Sequence, residues 1–255
     1  MFSLRTGVRC LLLLIVIAGF CGSSFAYDET FHHVYPLSAG GSFVLENVNG
    51  SVQVDGWNRD EVEVSAVKTG TNESHDVQQV KIDVDSSKPG QIVVHTLYPK
   101  GEGAEVAVEY HVHVPYRVLL GSVGTVNGSV TVRGVEGGGE LRSVNGNIEV
   151  SNCSGRFSEK TTNGDIRLEL RQLLEGGPMN LETVNGSVLL GLPAGAKADL
   201  EALSMNGDVY SELPSTRTAG ALALHAFKAK LGNGGGEISV RTVNGGIRLL
   251  QSPGV

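Results

Sequence analysis

His111 and His113 are the first side chains in this chain whose spacing suggests chemistry. In an extended segment, residues two apart point to the same face, so two imidazoles can share one metal ion. The sequence places no third ligand beside them, and Tyr110 and Val112 fill the opposite face as in any half-buried strand. Carboxylates form a second group. Asp165 and Asp208 each stand two residues after the asparagine of a recurring Asn-Gly pair, with Glu149 and Glu169 on outward positions nearby. Parallel β-helix enzymes that cut acidic polysaccharides gather carboxylates and a basic residue on one outer sheet face. Here Ser187 interrupts the column between the aspartates and the basic residues are scattered, so the group reads as a solvated face. Cys153 has no positioned base, and no Gly-x-Ser-x-Gly elbow occurs. The run Gly232-Asn233-Gly234-Gly235-Gly236 lacks the Lys-Ser/Thr and the following helix of a phosphate loop, and reads as a loop leading into the last coil. No catalytic, cofactor-binding or metal-ligating residue is assigned, and the chain is expected not to be an enzyme.

What positions these groups is a phrase written seven times: Asn49-Gly50, Asn127-Gly128, Asn145-Gly146, Asn163-Gly164, Asn185-Gly186, Asn206-Gly207 and Asn244-Gly245. Three residues after each asparagine stands Val52, Val130, Ile148, Ile166, Val188, Val209 or Ile247, always β-branched and apolar. Five residues after it the residue is aliphatic in every copy except Ser211, and two before it a hydroxyl in every copy except Asn47. Alternation with a period of two sends both aliphatics to one face, which must be interior. From Gly128 the steps are 18, 18, 22, 21 and 38 residues, the mark of stacked coils with an insertion or a degenerate coil at the last step. Asn-Gly is also a hairpin signal, because both residues tolerate the positive φ of a type I′ turn. An antiparallel meander therefore competes with the solenoid. Only parallel coils, about 4.8 Å apart, stack equivalent residues directly and so account for the columns. The expected fold is all-β, a parallel β-helix or β-solenoid with an N-terminal β-sandwich-like cap.

The first 26 residues read as a signal peptide. Arg5 and Arg9 are its basic region, Leu11 to Phe20 its apolar core, and Ser24-Phe25-Ala26 a cleavage site; lipidation at Cys21 is the less favoured alternative because Phe20 fits poorly before it. Residues 27–120 form the cap section, with strands expected at Phe43 to Asn47, Ser51 to Val54, Val62 to Val67, Val80 to Val84, Ile92 to Leu97 and Val106 to Val114. Thr71 to Ser74 reads as a turn, Pro115 ends the last strand of the section, and His32-His33 reads as disordered. Residues 121–250 form the coil stack, closed by Ile247 to Leu250, and residues 251–255 a short tail. Without the leader, 18 basic residues face 27 acidic ones, a formal charge of −9 with no Lys/Arg cluster, which excludes nucleic acid as a natural partner. The acidity favours solubility, or cationic and metal-bridged surfaces. Cys153 is then the single cysteine, so no intramolecular disulfide is available in an oxidising compartment.

The phrases Val-Asn-Gly-Ser-Val, Thr162-Asn163-Gly164-Asp165-Ile166 and Met205-Asn206-Gly207-Asp208-Val209 resemble the bacterial adhesin-like family of β-strand-repeat proteins, the DUF4097 group. The run from Leu231 to Gly236 leading to Asn244-Gly245 is similar to that family's C-terminal signature, while Gly246 and Ser211 depart from its pattern. The resemblance spans roughly residues 40 to 250. It implies a right-handed β-helix or β-roll in an exported envelope protein, in the periplasm or at the cell surface, and supplies no catalytic residues. It also argues against the eukaryotic route in which the sequons at Asn49, Asn72, Asn127, Asn152 and Asn185 would matter. The expected role is a non-enzymatic envelope scaffold or adhesin-like binding module whose partner is envelope polysaccharide or a membrane protein. The alternatives are a carbohydrate-active β-helix enzyme and a periplasmic partner of a membrane signalling protein. The sequence leaves the oligomeric state open.

Overall fold

The structure, a computed structural model, describes residues 27–70, 74–99, 106–214, 216–217 and 225–252. The expected signal peptide, the turn residues Thr71 to Glu73 and most of the tail lie outside them. Among the described residues no helix is long and apolar enough to cross a membrane.

The first section supplies β1 (Tyr27–Pro36), β2 (Ser42–Glu46), β3 (Val52–Trp57), β4 (Glu61–Gly70), a short helix α1 (Ser74–Gln79), β5 (Lys81–Asp85), β6 (Gln91–Leu97) and β7 (Val106–Pro115). Then follow β8 (Leu119–Gly124), β9 (Val130–Arg133), β10 (Gly139–Arg142), β11 (Ile148–Ser154), β12 (Phe157–Lys160), β13 (Ile166–Gln172), β14 (Met179–Asn185) and β15 (Val188–Pro193). The chain ends with β16 (Ala198–Asn206), β17 (Val209–Ser211), β18 (Thr216–Arg217), β19 (Ala226–Leu231), β20 (Glu237–Asn244) and β21 (Ile247–Ser252).

These strands make two long sheets. One runs β1-β4-β7-β3-β9-β11-β13-β15-β21-β17, the other β18-β19-β16-β20-β14-β12-β10-β8-β2-β6-β5. Pairing is parallel from β7 to β17 in the first and from β6 to β16 in the second, and antiparallel pairs occur only at the ends. Each Asn-Gly is the corner at which the chain leaves the second sheet for the first, and successive corners are joined by parallel bridges, Asn49 to Asn127, Asn127 to Asn145, Asn145 to Asn163 and Asn163 to Asn185. The fold is thus the all-β parallel solenoid, and the meander falls. Its premise fails too: Asn152 is the only described non-glycine residue with positive φ, so the repeat asparagines are not in type I′ turns.

The glycine has a different reason. A Cβ on Gly146 would sit 1.9 Å from the carbonyl oxygen of Gly128 in the neighbouring winding, and one on Gly164 would sit 2.1 Å from that of Gly146. Backbone passes over backbone at every corner, leaving no room for a side chain. Gly146→Ala is therefore expected to lower stability by at least about 2 kcal/mol, as over-packing against immobile atoms does. Gly177→Ala, with open space around it, should be neutral. Urea unfolding of the two variants checks this.

The inward columns are as expected. Val52, Val130, Ile148, Ile166, Val188 and Ile247 are buried, as are Val54, Val132, Val150, Leu168, Leu190 and Leu249, in one continuous core between the sheets. Val209 and Ser211 are only half-buried because β17 is the sheet's edge, which explains why this copy can carry a serine.

Three expectations are corrected. First, β21 does not close the stack: β20 and β21 lie between β14/β15 and β16/β17, hydrogen-bonded in parallel on both sides. Every winding presents the same columns above and below, so a later one can enter between two earlier ones. Second, His32 and His33 belong to an ordered strand, because β1 pairs antiparallel with β4 over its full length and Phe31 and Tyr35 pack on the core. Third, the segment after Glu73 forms α1 with Val77 buried, not a turn alone.

Candidate functional site

The carboxylate group suggested by the sequence is structural. The position two after asparagine is a relay of backbone caps: Ser129 Oγ accepts Asn147 N–H (3.3 Å), Asn147 Oδ1 accepts Asp165 N–H (2.8 Å), and Asp165 Oδ1 accepts Ser187 N–H (2.7 Å). Asp208 is not adjacent to Asp165, because Ser187 and Gly246 occupy the intervening windings. Three steps of about 4.8 Å separate the aspartates by roughly 14 Å, beyond the reach of paired glycosidase carboxylates. Glu169 pairs with Arg167 at 2.6 Å, and Glu149 lies beside Arg167 in register.

Along the corner runs a continuous amide ladder. In spatial order its rungs are Asn49, Asn127, Asn145, Asn163, Asn185, Asn244 and Asn206, each Nδ2 donating to the preceding Oδ1 at 2.8 to 2.9 Å. The hydroxyls two residues earlier turn inward. Thr125, Ser143, Thr161, Thr183 and Thr242 each donate to the repeat-glycine carbonyl of the preceding winding, as Ser204 does to Gly245. Asn47 reaches Val108 O at 2.8 Å in the same way, which explains the one non-hydroxyl in that column. Between hydroxyl and amide stands a residue that faces solvent. Val126, Val144, Val184 and Met205 are 38, 41, 40 and 65% exposed, and with half-buried Val48 and Val243 they form an aliphatic stripe parallel to the ladder, broken only by Thr162. Its signal was in the sequence, since Val precedes Asn-Gly in five of seven copies. A column that does not point inward is invisible to a search for core.

The outer face of the first sheet, toward its N-terminal end, gathers the histidines. β7 carries His111 and His113 outward, and β3, pairing with it in parallel, sets Gln53 beside His111 and Asp55 beside His113. Asp55 Oδ2 lies 2.8 Å from His111 Nε2 and accepts Gln53 Nε2–H at 2.7 Å. One ligand atom from each of Asp55, His111 and His113 lies within 4.8 Å of the others. The Trp57 indole stacks on the His113 ring, centroids 4.9 Å apart, and the Arg59 guanidinium lies over the indole at 4.6 Å. On the other flank β4 aligns Glu63 with His113 and Ser65 with His111. The pair His111/His113 was visible in the sequence. Asp55, 56 residues away, enters only through strand pairing.

Comparison with known proteins now bears on this stack of corners. The family model described as Toastrack DUF4097 matches residues 120–250. The chain belongs to the Toastrack DUF4097 family. No curated protein matches it. Among solved structures, a protein of Clostridium sporogenes provisionally described as a cell adhesion protein is similar, with 11% identity over 88% of this chain and 100% of that one at a TM-score of 0.47. A provisionally assigned adhesin of Bacteroides fragilis aligns at 9% identity over 87% of this chain and 97% of that one, TM-score 0.38. A provisionally assigned lipid binding protein of Parabacteroides distasonis aligns at 10% over 86% and 96%, TM-score 0.31.

Two further groups in this DUF4097 chain could carry chemistry. Cys153 is buried, its Sγ accepting Val135 N–H at 3.3 Å, and burial pushes its thiol up to about 11, which makes it an inert filler rather than a nucleophile. Glu159 was missed. It faces the core of β12 between Leu141 and Leu181, is fully buried, and neither carboxyl oxygen has a hydrogen-bond partner among the described residues; burial raises it well above the usual carboxylate range. The signal lay in a further column, four residues before each asparagine: Leu45, Val123, Leu141, Glu159, Leu181, Ala202 and Val240. Glu159 is its one polar member.

Proposed function

We propose that the protein is an exported, non-enzymatic β-solenoid that serves in the cell envelope as a scaffold or adhesin-like binding module. The observation that carries this reading is the solvent-facing stripe of Val126, Val144, Val184 and Met205 beside the asparagine ladder. Contiguous exposed apolar side chains on a regular surface mark a place where something docks. Here an amide recurs about every 4.8 Å, with an aliphatic beside it in every winding but that of Thr162, so an extended polymer laid along the corner meets a contact at nearly every level. Each contact is weak, and their linkage supplies the affinity. The net negative charge of the chain is consistent with envelope polysaccharide that is neutral or bridged by cations.

Retention on a glycan array and enrichment from envelope extracts test the reading. The protein should enrich surface polysaccharide, and Val126→Ser, Val144→Ser and Val184→Ser together should weaken retention by at least about 10-fold while leaving the far-ultraviolet dichroism unchanged. Capture of a single membrane protein instead would assign the chain to a signalling complex. Turnover of a cell-wall glycan that is lost in Asp165→Asn would make it an enzyme.

A further inference from the structure

We infer that Asp55, His111 and His113 form a surface site for one divalent transition-metal ion of the zinc and copper(II) class. Two imidazoles and one carboxylate on adjacent strands are a donor set that such ions accept, and their ligand atoms already lie within 4.8 Å of one another. The strand geometry fixes this. His111 and His113 project from one face of β7 because Tyr110, Val112 and Val114 are held in the core, and parallel pairing puts Asp55 across from His113. Asp55 is oriented by Gln53, which donates to the same Oδ2 that faces His111. In the described arrangement the carboxylate hydrogen-bonds His111 directly; an ion replaces that bond, and small side-chain rotations bring the three donors to it. The stacked indole of Trp57 covers His113 on one side, whereas His111 is half-exposed, so the ion keeps open positions toward solvent. Asp55 as the one ligating carboxylate leaves the ion with net positive charge, which Glu63, in register with His113 on β4, offsets from the flank. The group that fills the open positions is thus an oxygen or nitrogen donor of a docking partner, or water. The site depends only on side-chain placement, and it stands whether or not the aliphatic stripe binds polymer.

Trp57 is the only tryptophan of the chain, and it touches a ligand. Titrating the purified protein with copper(II) should therefore quench tryptophan emission, saturating at one equivalent, and zinc(II) should compete and restore the emission. The double variant His111→Ala, His113→Ala should lose the saturable quench, while His32→Ala, on β1 beyond β4, should keep it. Asp55→Asn, which preserves side-chain shape, should weaken copper binding by at least about 10-fold. If the double variant loses its sheet dichroism, Asp55→Asn decides alone. An unchanged quench in the folded double variant or in Asp55→Asn, or no saturable quench of the wild type below millimolar copper, overturns the site.

Discussion

Val150→Asp lowers the stability of the protein by at least about 4 kcal/mol at pH 7, and Thr131→Asp by less than about 1 kcal/mol. Val150 is fully buried, paired in register with Val132 below and Leu168 above. Its replacement removes a buried aliphatic worth about 1.5 to 3 kcal/mol and puts in its place a carboxyl with no partner to bond. Thr131 lies on the same sheet but faces outward, half-exposed, between Gln53 and Glu149. A second carboxylate beside Glu149 adds only a screened repulsion. Equilibrium urea unfolding compares the two. Equal losses would mean that the inward and outward columns are misassigned.

Glu159→Leu raises stability at pH 7 by at least about 1 kcal/mol, and the gain is smaller near pH 4, where only a neutral unpaired carboxyl is being removed. Burial with no hydrogen-bond partner among the described residues raises the Glu159 carboxyl in the folded chain, whereas the unfolded chain releases its proton above a pH of about 4.3. Between those two ranges the native state binds the extra proton, so wild-type stability falls as pH rises, by up to about 1.4 kcal/mol per unit. Leucine nearly conserves volume and continues the column of Leu141 and Leu181. Unfolding from pH 4 to pH 8 should show the two curves diverging as pH rises. Glu159→Gln should remove the slope while keeping an unpaired polar group. Parallel curves would show that the carboxyl titrates alike in both states.

Much of the stack was legible because its information is periodic. Val52 through Ile247 and the hydroxyls Thr125 through Thr242 do the same job at every level, so the sequence repeats the instruction. The corner glycines were legible as a pattern and misread as a cause. Their need is set in every copy by the winding beside them, at 1.9 Å from Gly146, and at Gly50, Gly128 and Gly245 by a positive φ as well. The order of the last windings was not legible for the same reason that the core was. Interchangeable columns name a level of the stack without ranking it, and β20 pairs in parallel with β14 on one side and β16 on the other. At the candidate metal site, two donors share one strand and could be read from spacing, and the third depends on which strand lies alongside. β1 was hidden by its polar composition, Asp28, Glu29, Thr30, His32 and His33, although its pairing with β4 is complete.

Placement of β20 and β21 between two earlier windings governs how the molecule can be assembled in time. A chain delivered N-terminus first, from a ribosome or through a translocation channel, can lay down its early layers in sequence. It cannot complete the native stack in that order, because the place between Val188 and Val209 belongs to Ile247, which emerges after both. This late segment is thus a keystone: cutting it away would take a layer from inside the masonry, and β16/β17 would be left with no neighbour to lean on along the parallel ladder.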